Sequence, residues 1–111
     1  MHRRKSGFPP GTLDLLLLTT LDRRGPLHGY GIVKHIQQTS ENVITVEEGS
    51  LYPALQRLLR KGWVTAEWVE RGEKRRARFY SLTPEGRRQL ESEANAFDRV
   101  IRAIVRVLQP A

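Results

Sequence analysis

The sequence predicts a mainly helical α+β domain in which three helices precede a two-stranded hairpin and one long helix follows it. Two patterns indicate this order. Apolar residues recur at helical spacing before residue 62 and after residue 84, whereas residues 63–82 alternate around a glycine-containing basic loop. A short amphipathic helix followed by a cationic hairpin is typical of a winged helix-turn-helix, here in the order α1-α2-α3-β-wing-β-α4.

Composition limits the possible functions. A chain of 111 residues with net charge +7 and pI near 10.6 is expected to form one domain with a polyanionic partner such as nucleic acid. It contains no cysteine, which excludes disulfides and thiol chemistry. No apolar run approaches the roughly 18 residues of a membrane span, and the leucine-rich stretch lacks a signal-peptide cleavage site. We therefore expect a cytoplasmic protein without a membrane partner.

The first helix is expected to follow a flexible basic N-terminal arm, residues 1–11. Thr12 is a plausible N-cap, and the helix extends through about Asp22. Leucines cover almost its whole circumference: Leu13, Leu15, Leu16, Leu17, Leu18 and Leu21. A helix that is apolar all round is buried on more than one side. In so small a domain we expect a second subunit to supply part of that burial, through Leu15 and Leu18.

The second helix is predicted from about His28 to Thr39, with its apolar residues facing inward. His28 is interpreted as a helix cap or packing residue, because no cysteine or carboxylate set accompanies it to complete a metal site. After this helix, the β-branched run Val43–Val46 could supply a short strand.

The third helix is predicted to start near Ser50 as N-cap and to end at Gly62. Its apolar stripe consists of Leu51, Leu55, Leu58 and Leu59. Pro53 is placed in the first turn, where its missing N–H has no consequence. The opposite face carries Tyr52, Pro53, Gln56, Arg57 and Arg60.

The hairpin and the last helix follow. Strands are expected at 63–69 and 76–82, with Tyr80 mostly in the core, and Thr83 and Pro84 then form an N-cap and a first helical residue. The helix reaches about Leu108 with a heptad seam of Leu90, Ala94, Phe97, Ile101, Ile104 and Leu108. At roughly 35–40 Å it is too long for its own subunit to cover, which predicts a dimerisation helix.

Positive charge is concentrated around the hairpin. Residues 57–78 contain eight basic and three acidic side chains and thus carry +5 of the net +7. A solvated surface is the alternative interpretation, but the adjacent cationic helix favours double-stranded DNA. Gln56 and Arg57 lie on the exposed face of the third helix, so their side chains are the candidates for contacts with base edges. The hydroxyl groups of Ser50 and Tyr52 lie near the N-terminus of this helix, where DNA phosphates are expected to bind. Arg75 and Arg76 in the wing are expected to position the protein rather than to specify sequence, and Arg60 and Lys74 complete the expected DNA-binding set.

Other chemistry finds little support in the sequence. No nucleophile–base arrangement, carboxylate pair, metal-ligand spacing or dinucleotide fingerprint is recognisable, so we expect neither an enzyme nor a metal or cofactor. Phe97 and its neighbours could line a small-molecule effector pocket at a dimer interface, although an ordinary packed seam is the favoured interpretation. The arginines of the last helix are expected to form a solvated face.

Several segments together resemble the PadR family of transcriptional regulators over about residues 12–90: LHGYGI at 27–32, EGSLYPAL at 48–55 with Arg57 and Leu58, GWV at 62–64, and RARFYSLT at 76–83 with Gly86. The resemblance implies a winged-helix homodimer that binds a near-palindromic operator, usually as a repressor. It places the DNA face on Ser50, Tyr52, Pro53, Gln56 and the wing arginines, and the dimer contact on the first and last helices.

The resemblance also bears on ligands and domains. Some family members bind flat aromatic drugs between tryptophans of the terminal helices, but Trp63 and Trp68 of this chain both fall in the hairpin. We expect residues 12–82 to form the DNA-binding domain and residues 83–111 the dimerisation helix, without a separate ligand domain. A winged-helix module that binds protein rather than specific DNA is the alternative, which the charged wing disfavours because interface cores are depleted of charge. The operator, its genes and any effector are not encoded in these patterns.

Overall fold

The computed structural model of the chain describes residues 11–110. Seven elements follow in sequence: α1 (Thr12–Arg24), β1 (Leu27–His28), α2 (Gly29–Thr39), α3 (Glu48–Arg60), β2 (Val64–Glu70), β3 (Arg76–Leu82) and α4 (Pro84–Leu108). This order confirms the mainly helical α+β class and the winged helix-turn-helix. Residues 1–10 of the expected N-terminal arm lie outside the described part of the chain.

Local capping explains where two helices begin. The Thr83 hydroxyl accepts a hydrogen bond of 2.9 Å from the Gly86 amide, and Pro84 is the first residue of α4, as predicted. The Nδ1 atom of His28 accepts from the Gly31 amide at 2.9 Å. His28 is therefore the N-cap of α2, which confirms its interpretation as a cap.

Two other predicted caps are wrong. Thr12 is already helical and follows Gly11, whose φ of 86° is left-handed. Because α3 begins at Glu48, Ser50 lies inside its first turn. Pro53 is consequently inside the helix, where it removes the N–H that would bond the Gly49 carbonyl.

The sheet has three antiparallel strands in the order β1-β3-β2. Strand β2 pairs with β3 from Val64 opposite Leu82 to Glu70 opposite Arg76, which confirms the hairpin. The two-residue strand β1 places Leu27 opposite Tyr80 and was not predicted. The strand expected at Val43–Val46 is wrong, since this segment is irregular and pairs with no strand of the described chain.

The core lies between the first three helices and the base of the hairpin. Its fully buried side chains include Leu17 of α1, Ile32 of α2, and Leu55 and Leu58 of α3. Tyr80 is 5% exposed, which confirms its place in the core. Packing of α2 and α3 on this common core fixes the angle at which α3 presents its outer face.

Helix α4 is held at its N-terminal end. Gly86 lies so close to the Trp63 carbonyl that a Cβ there would be 2.1 Å from that oxygen. Arg87 forms an ion pair with Asp22 of α1, and Leu90 is 7% exposed against the core. None of the described residues after Leu90 is buried, so residues 11–110 leave more than half of this 25-residue helix without cover. No helix within residues 11–110 is long and apolar enough to cross a membrane.

Candidate nucleic-acid interface

The outward face of α3 is a straight stripe of four exposed residues. Gly49, Pro53, Gln56 and Arg60 occur at i, i+4, i+7 and i+11, so they lie one above another along the helix. The buried residue Leu55 is on the opposite side. A helix with one side fixed in the core and the other exposed has the geometry needed to enter a major groove. We call these four residues the α3 stripe.

Two predicted contact residues flank the stripe. Tyr52 is 44% exposed, and its hydroxyl lies beside Gly29 at the start of α2, where a Cβ would be only 2.6 Å away. The hydroxyl end of the ring therefore packs on the start of α2. Ser50 is partly buried in the first turn.

Arg57 on the other flank is tied to α1. Its guanidinium donates a 2.7 Å hydrogen bond to Asp14, forming an ion pair in which the Arg57 side chain is 44% exposed. The expectation that Arg57 contacts base edges thus meets a competing partner. To reach DNA from this conformation, the guanidinium has to leave the carboxylate.

The wing is a tight basic turn at the end of the hairpin. The Arg71 amide donates to the Arg75 carbonyl at 2.9 Å, and Lys74 adopts a left-handed φ of 60°. The side chains of Lys74 and Arg75 are exposed at this tip. Arg76 begins β3 and lies over the Trp68 ring, 4.5 Å from its centroid.

Three residues near the wing were missed by the sequence analysis. Trp68 is 55% exposed and Tyr30 is 67% exposed, and Arg78 lies opposite Trp68 in the sheet. Trp68 follows Val64 by four residues along β2, so both lie on the same face of the sheet. The hairpin, however, extends past the core, so that this face is open to solvent at its outer end. The length of the hairpin relative to the helices is the signal that could have revealed this.

The predicted dimerisation residues divide into buried and exposed sets. Leu18 and Leu90 are 2% and 7% exposed, so they pack inside their own chain and offer little area to a partner. Leu15 and Ala94 are partly buried. The remaining residues of the seam are exposed, and so are three neighbours that were not predicted: Phe97, Ile101, Ile104 and Leu108, with Val100, Val105 and Val107.

Titratable groups do not form a metal-binding cluster in the described part of the chain. Residues 11–110 contain no group of three side chains that could hold a metal ion. Burial raises the pKa of the Tyr80 phenol, although the nearby Arg78 charge partly opposes this shift. Tyr80 therefore stays protonated at neutral pH beside the wing.

Comparison with known proteins identifies relatives of this arrangement. The model of the Transcriptional regulator PadR-like family matches residues 17–92. A 37.1 kDa protein in transposon TN4556 of Streptomyces fradiae is 46% identical over 76 residues, covering 68% of this chain and 20% of that protein. The negative transcriptional regulator PadR of Bacillus subtilis is 28% identical over 68 residues, covering 61% of this chain. The chain spans only 37% of the length of this second relative.

Solved structures agree with these matches. A transcriptional regulator from Clostridium thermocellum superimposes with a TM-score of 0.81 at 26% identity, over 89% of this chain and 95% of that chain. Bacillus subtilis PadR in complex with operator DNA gives a TM-score of 0.69 at 27% identity. That match covers 78% of this chain and 48% of the other.

Proposed function

Because the chain belongs to the PadR-like family of transcriptional regulators, whose model matches residues 17–92, we propose that it is a sequence-specific DNA-binding repressor. It acts as a homodimer at a near-palindromic operator. The observation that carries this proposal is the exposed α3 stripe beside a cationic wing. The structure of Bacillus subtilis PadR with operator DNA supports the same use of the fold.

Gln56 and Arg60 read base edges in this proposal. Both are exposed on the α3 stripe, and their side chains have the donors and acceptors that suit adenine and guanine in the major groove. Pro53 supplies an apolar surface next to them. Arg57 instead positions α3, because its guanidinium is engaged by Asp14.

Backbone contacts surround these bases. Ser50 and Tyr52 lie at the positive N-terminal end of α3, where phosphates bind favourably. Lys74, Arg75 and Arg76 of the wing hold the neighbouring backbone. These groups fix the position of the protein on DNA and carry little sequence information.

The second half of α4 forms the dimer. It exposes apolar side chains on one face: Phe97, Val100, Ile101, Ile104, Val105 and Leu108. Exposed apolar faces of this kind mark interaction sites, and heptad spacing favours a second helix as the occupant. In this division residues 12–82 present the DNA-binding surface and residues 83–111 join the subunits, although the first turns of α4 also pack on α1.

Repression and its release complete the proposal. The name of the Bacillus subtilis relative, a negative transcriptional regulator, favours repression over activation. A small-molecule effector at the dimer interface would release the operator by changing the distance between the two α3 helices. Neither tryptophan of this chain lies on α4, so the site would not stack a flat ring between two indoles.

Binding in a salt series tests the DNA-binding proposal. Fluorescence anisotropy would follow the full chain on a duplex selected from a random pool and on an unrelated duplex. If the dimer neutralises about 6–10 phosphates, log K falls with a slope of about −5 to −9 against log salt. A flat salt response, or equal affinity for both duplexes, contradicts the proposal. Sedimentation at micromolar concentration tests the dimer independently.

A further inference from the structure

A cleft of about 520 Å³ lies between the start of α2, the flank of α3 and the outer end of the hairpin. We call it the wing cleft. Beside the His28 imidazole, four tyrosine and tryptophan rings and two guanidinium groups line it: Tyr30, Tyr52, Trp68, Tyr80, Arg76 and Arg78. None of the described residues that line it is a carboxylate. The chemistry of the cleft is therefore that of a cationic site with aromatic walls.

Arg78 is the residue that most clearly lacks a partner within this cleft. Its guanidinium lies between two rings, 5.8 Å from the Trp68 centroid and 5.9 Å from the Tyr80 centroid. Its Nε–H is buried and makes no hydrogen bond within the described chain. A buried donor without an acceptor is costly, and ring faces do not satisfy the directional N–H groups of arginine. Of the guanidinium nitrogens only Nε is buried without a partner among the described residues, so an anion in the cleft would accept from the two Nη groups.

Tyr52 and the start of α2 extend this anion-binding character. The Tyr52 hydroxyl occupies the space beside Gly29, which is free only because residue 29 has no side chain. The N-terminal end of α2 adds partial positive charge at the same place. Guanidinium, phenol and helix end thus approach one hollow from three elements.

The position of the cleft identifies the source of the anion. Tyr52 precedes Pro53 of the α3 stripe, and Arg76 lies at the base of the basic wing. Because Tyr52 and Arg76 both line the cleft, DNA that contacted the α3 stripe and the wing together would lie close to it. A volume of about 520 Å³ accommodates a sugar together with its phosphate.

We propose that the wing cleft holds a backbone phosphate of the bound DNA, with Arg78 as a forked donor and Tyr52 as a second donor. This inference rests on the proposed DNA-binding function. The rings of Trp68 and Tyr30 pack against the attached sugar, and the Trp68 ring centroid lies 5.8 Å from the Arg78 guanidinium carbon. Arg78 is thereby assigned a role that the position of the wing arginines alone did not indicate.

Salt-dependent binding of the full chain to the selected duplex tests this assignment. In a dimer, Arg78→Gln removes one phosphate contact from each subunit, so the slope of log K against log salt becomes shallower by about 1.8, with affinity at least about tenfold lower. Arg78→Lys keeps the charge and nearly the same slope but still binds more weakly, because an ammonium lacks the forked geometry. Arg99→Gln, an exposed change on α4 that also removes one charge, is the matched control and retains slope and affinity.

A second variant keeps the proposal testable if Arg78 variants do not fold, as a thermal melt would reveal. Tyr52→Phe keeps the ring and removes only the hydroxyl, and we expect it to lower affinity roughly fivefold or more, as expected for a lost hydrogen bond to a charged group. Wild-type slope and affinity in both Arg78→Gln and Tyr52→Phe would overturn the inference.

Tryptophan fluorescence distinguishes the source of the anion. The emission of the wild-type chain is expected to change with the duplex, through Trp68, and this change is expected to be reduced in Arg78→Gln. The tryptophan emission of the wild-type chain is then measured in inorganic phosphate and in a chloride solution of equal ionic strength. We expect the same emission in both. A phosphate response without any effect of Arg78→Gln on DNA binding assigns the cleft to a free anion and overturns the DNA assignment. Failure of the wild-type chain to bind any duplex refutes the proposed function itself.

Discussion

Gly86 shows how one residue sets the position of α4. A Cβ at this residue would lie 2.1 Å from the Trp63 carbonyl oxygen and 2.9 Å from a Leu82 methyl carbon. The backbone oxygen cannot move aside without displacing the start of the hairpin. Close contact between helix and strand, rather than an unusual backbone angle, is therefore the reason for glycine here.

Replacing this glycine gives a test with a defined sign. Gly86→Ala is expected to lower the free energy of unfolding by about 1–3 kcal/mol, because overpacking outweighs the helical preference of alanine. Gly49→Ala is the control: it is also helical, has no protein atom within 4 Å of its Cβ position, and should gain about 0.5–1 kcal/mol. Urea denaturation measures both. A shift of both variants in the same direction contradicts this explanation.

Gln56 and Arg57 are neighbours with different expected roles. Gln56→Ala removes a base contact and is expected to reduce discrimination at one base pair by about 1–3 kcal/mol. Arg57→Ala breaks the ion pair with Asp14, and we expect it to leave the preference among bases unchanged. Competition binding with singly substituted duplexes measures both. Loss of specificity in Arg57→Ala alone would show that Arg57 leaves Asp14 and reads the DNA.

At the scale of elements, the second half of α4 is the clearest unpartnered surface. Ile101→Glu places a charge in the middle of its apolar face, where Ile101 is 39% exposed. Burying that carboxylate in a helix interface is costly, so we expect a monomer with strongly reduced operator affinity. Ser92→Glu adds the same charge on the opposite side of the helix and should remain dimeric. Sedimentation velocity measures the oligomeric state of both variants. A dimeric Ile101→Glu variant would exclude this face as the interface.

Elements with local signals were predictable from the sequence. The Thr83 cap, the Pro84 start and the heptad period fixed α4 over its full length, and alternation fixed β3. Pro53, Gln56 and Arg60 of the α3 stripe followed from the period of the buried leucines, whereas Gly49 lies before the predicted start of the helix. In each case the residues that determine the element are neighbours in the sequence, so the sequence pattern alone was enough to predict it.

Elements defined by distant partners were not predictable. Strand β1 is too short to show a period and exists because Leu27 and His28 pair with β3. Val43–Val46 has strand-forming residues but no strand beside it, and Val46 is buried in the core instead. The start of α3 was placed late because Ser50 resembles a cap, whereas the helix begins from Glu47 without a side-chain cap.

The candidate site was predictable to a similar extent. Periodicity identified the exposed residues of α3, and charge identified the wing. The pairing of Arg57 with Asp14 joins residues 43 apart in sequence, so no local pattern reveals it. The wing cleft is likewise assembled from three elements, and alternation alone could not show that Trp68 and Arg78 extend beyond the core.

At the scale of the whole molecule, charge and symmetry determine what the fold can do. The family assignment places the chain among transcriptional regulators and not enzymes, in agreement with the expectation from its sequence. Its net charge of +7 would bring it to any nucleic acid. In the proposed dimer, specificity would come from two copies of α3 that α4 holds at a fixed spacing.

Selection of bound duplexes from a random pool, followed by sequencing, tests this central claim most directly. We predict an enriched motif with two-fold symmetry, whose half-site centres are about one helical turn apart, roughly 34–36 Å. Ile101→Glu should enrich no more than a single half-site. A single asymmetric motif for the wild-type chain, or no enriched motif, would contradict a dimer that presents two α3 helices to one operator.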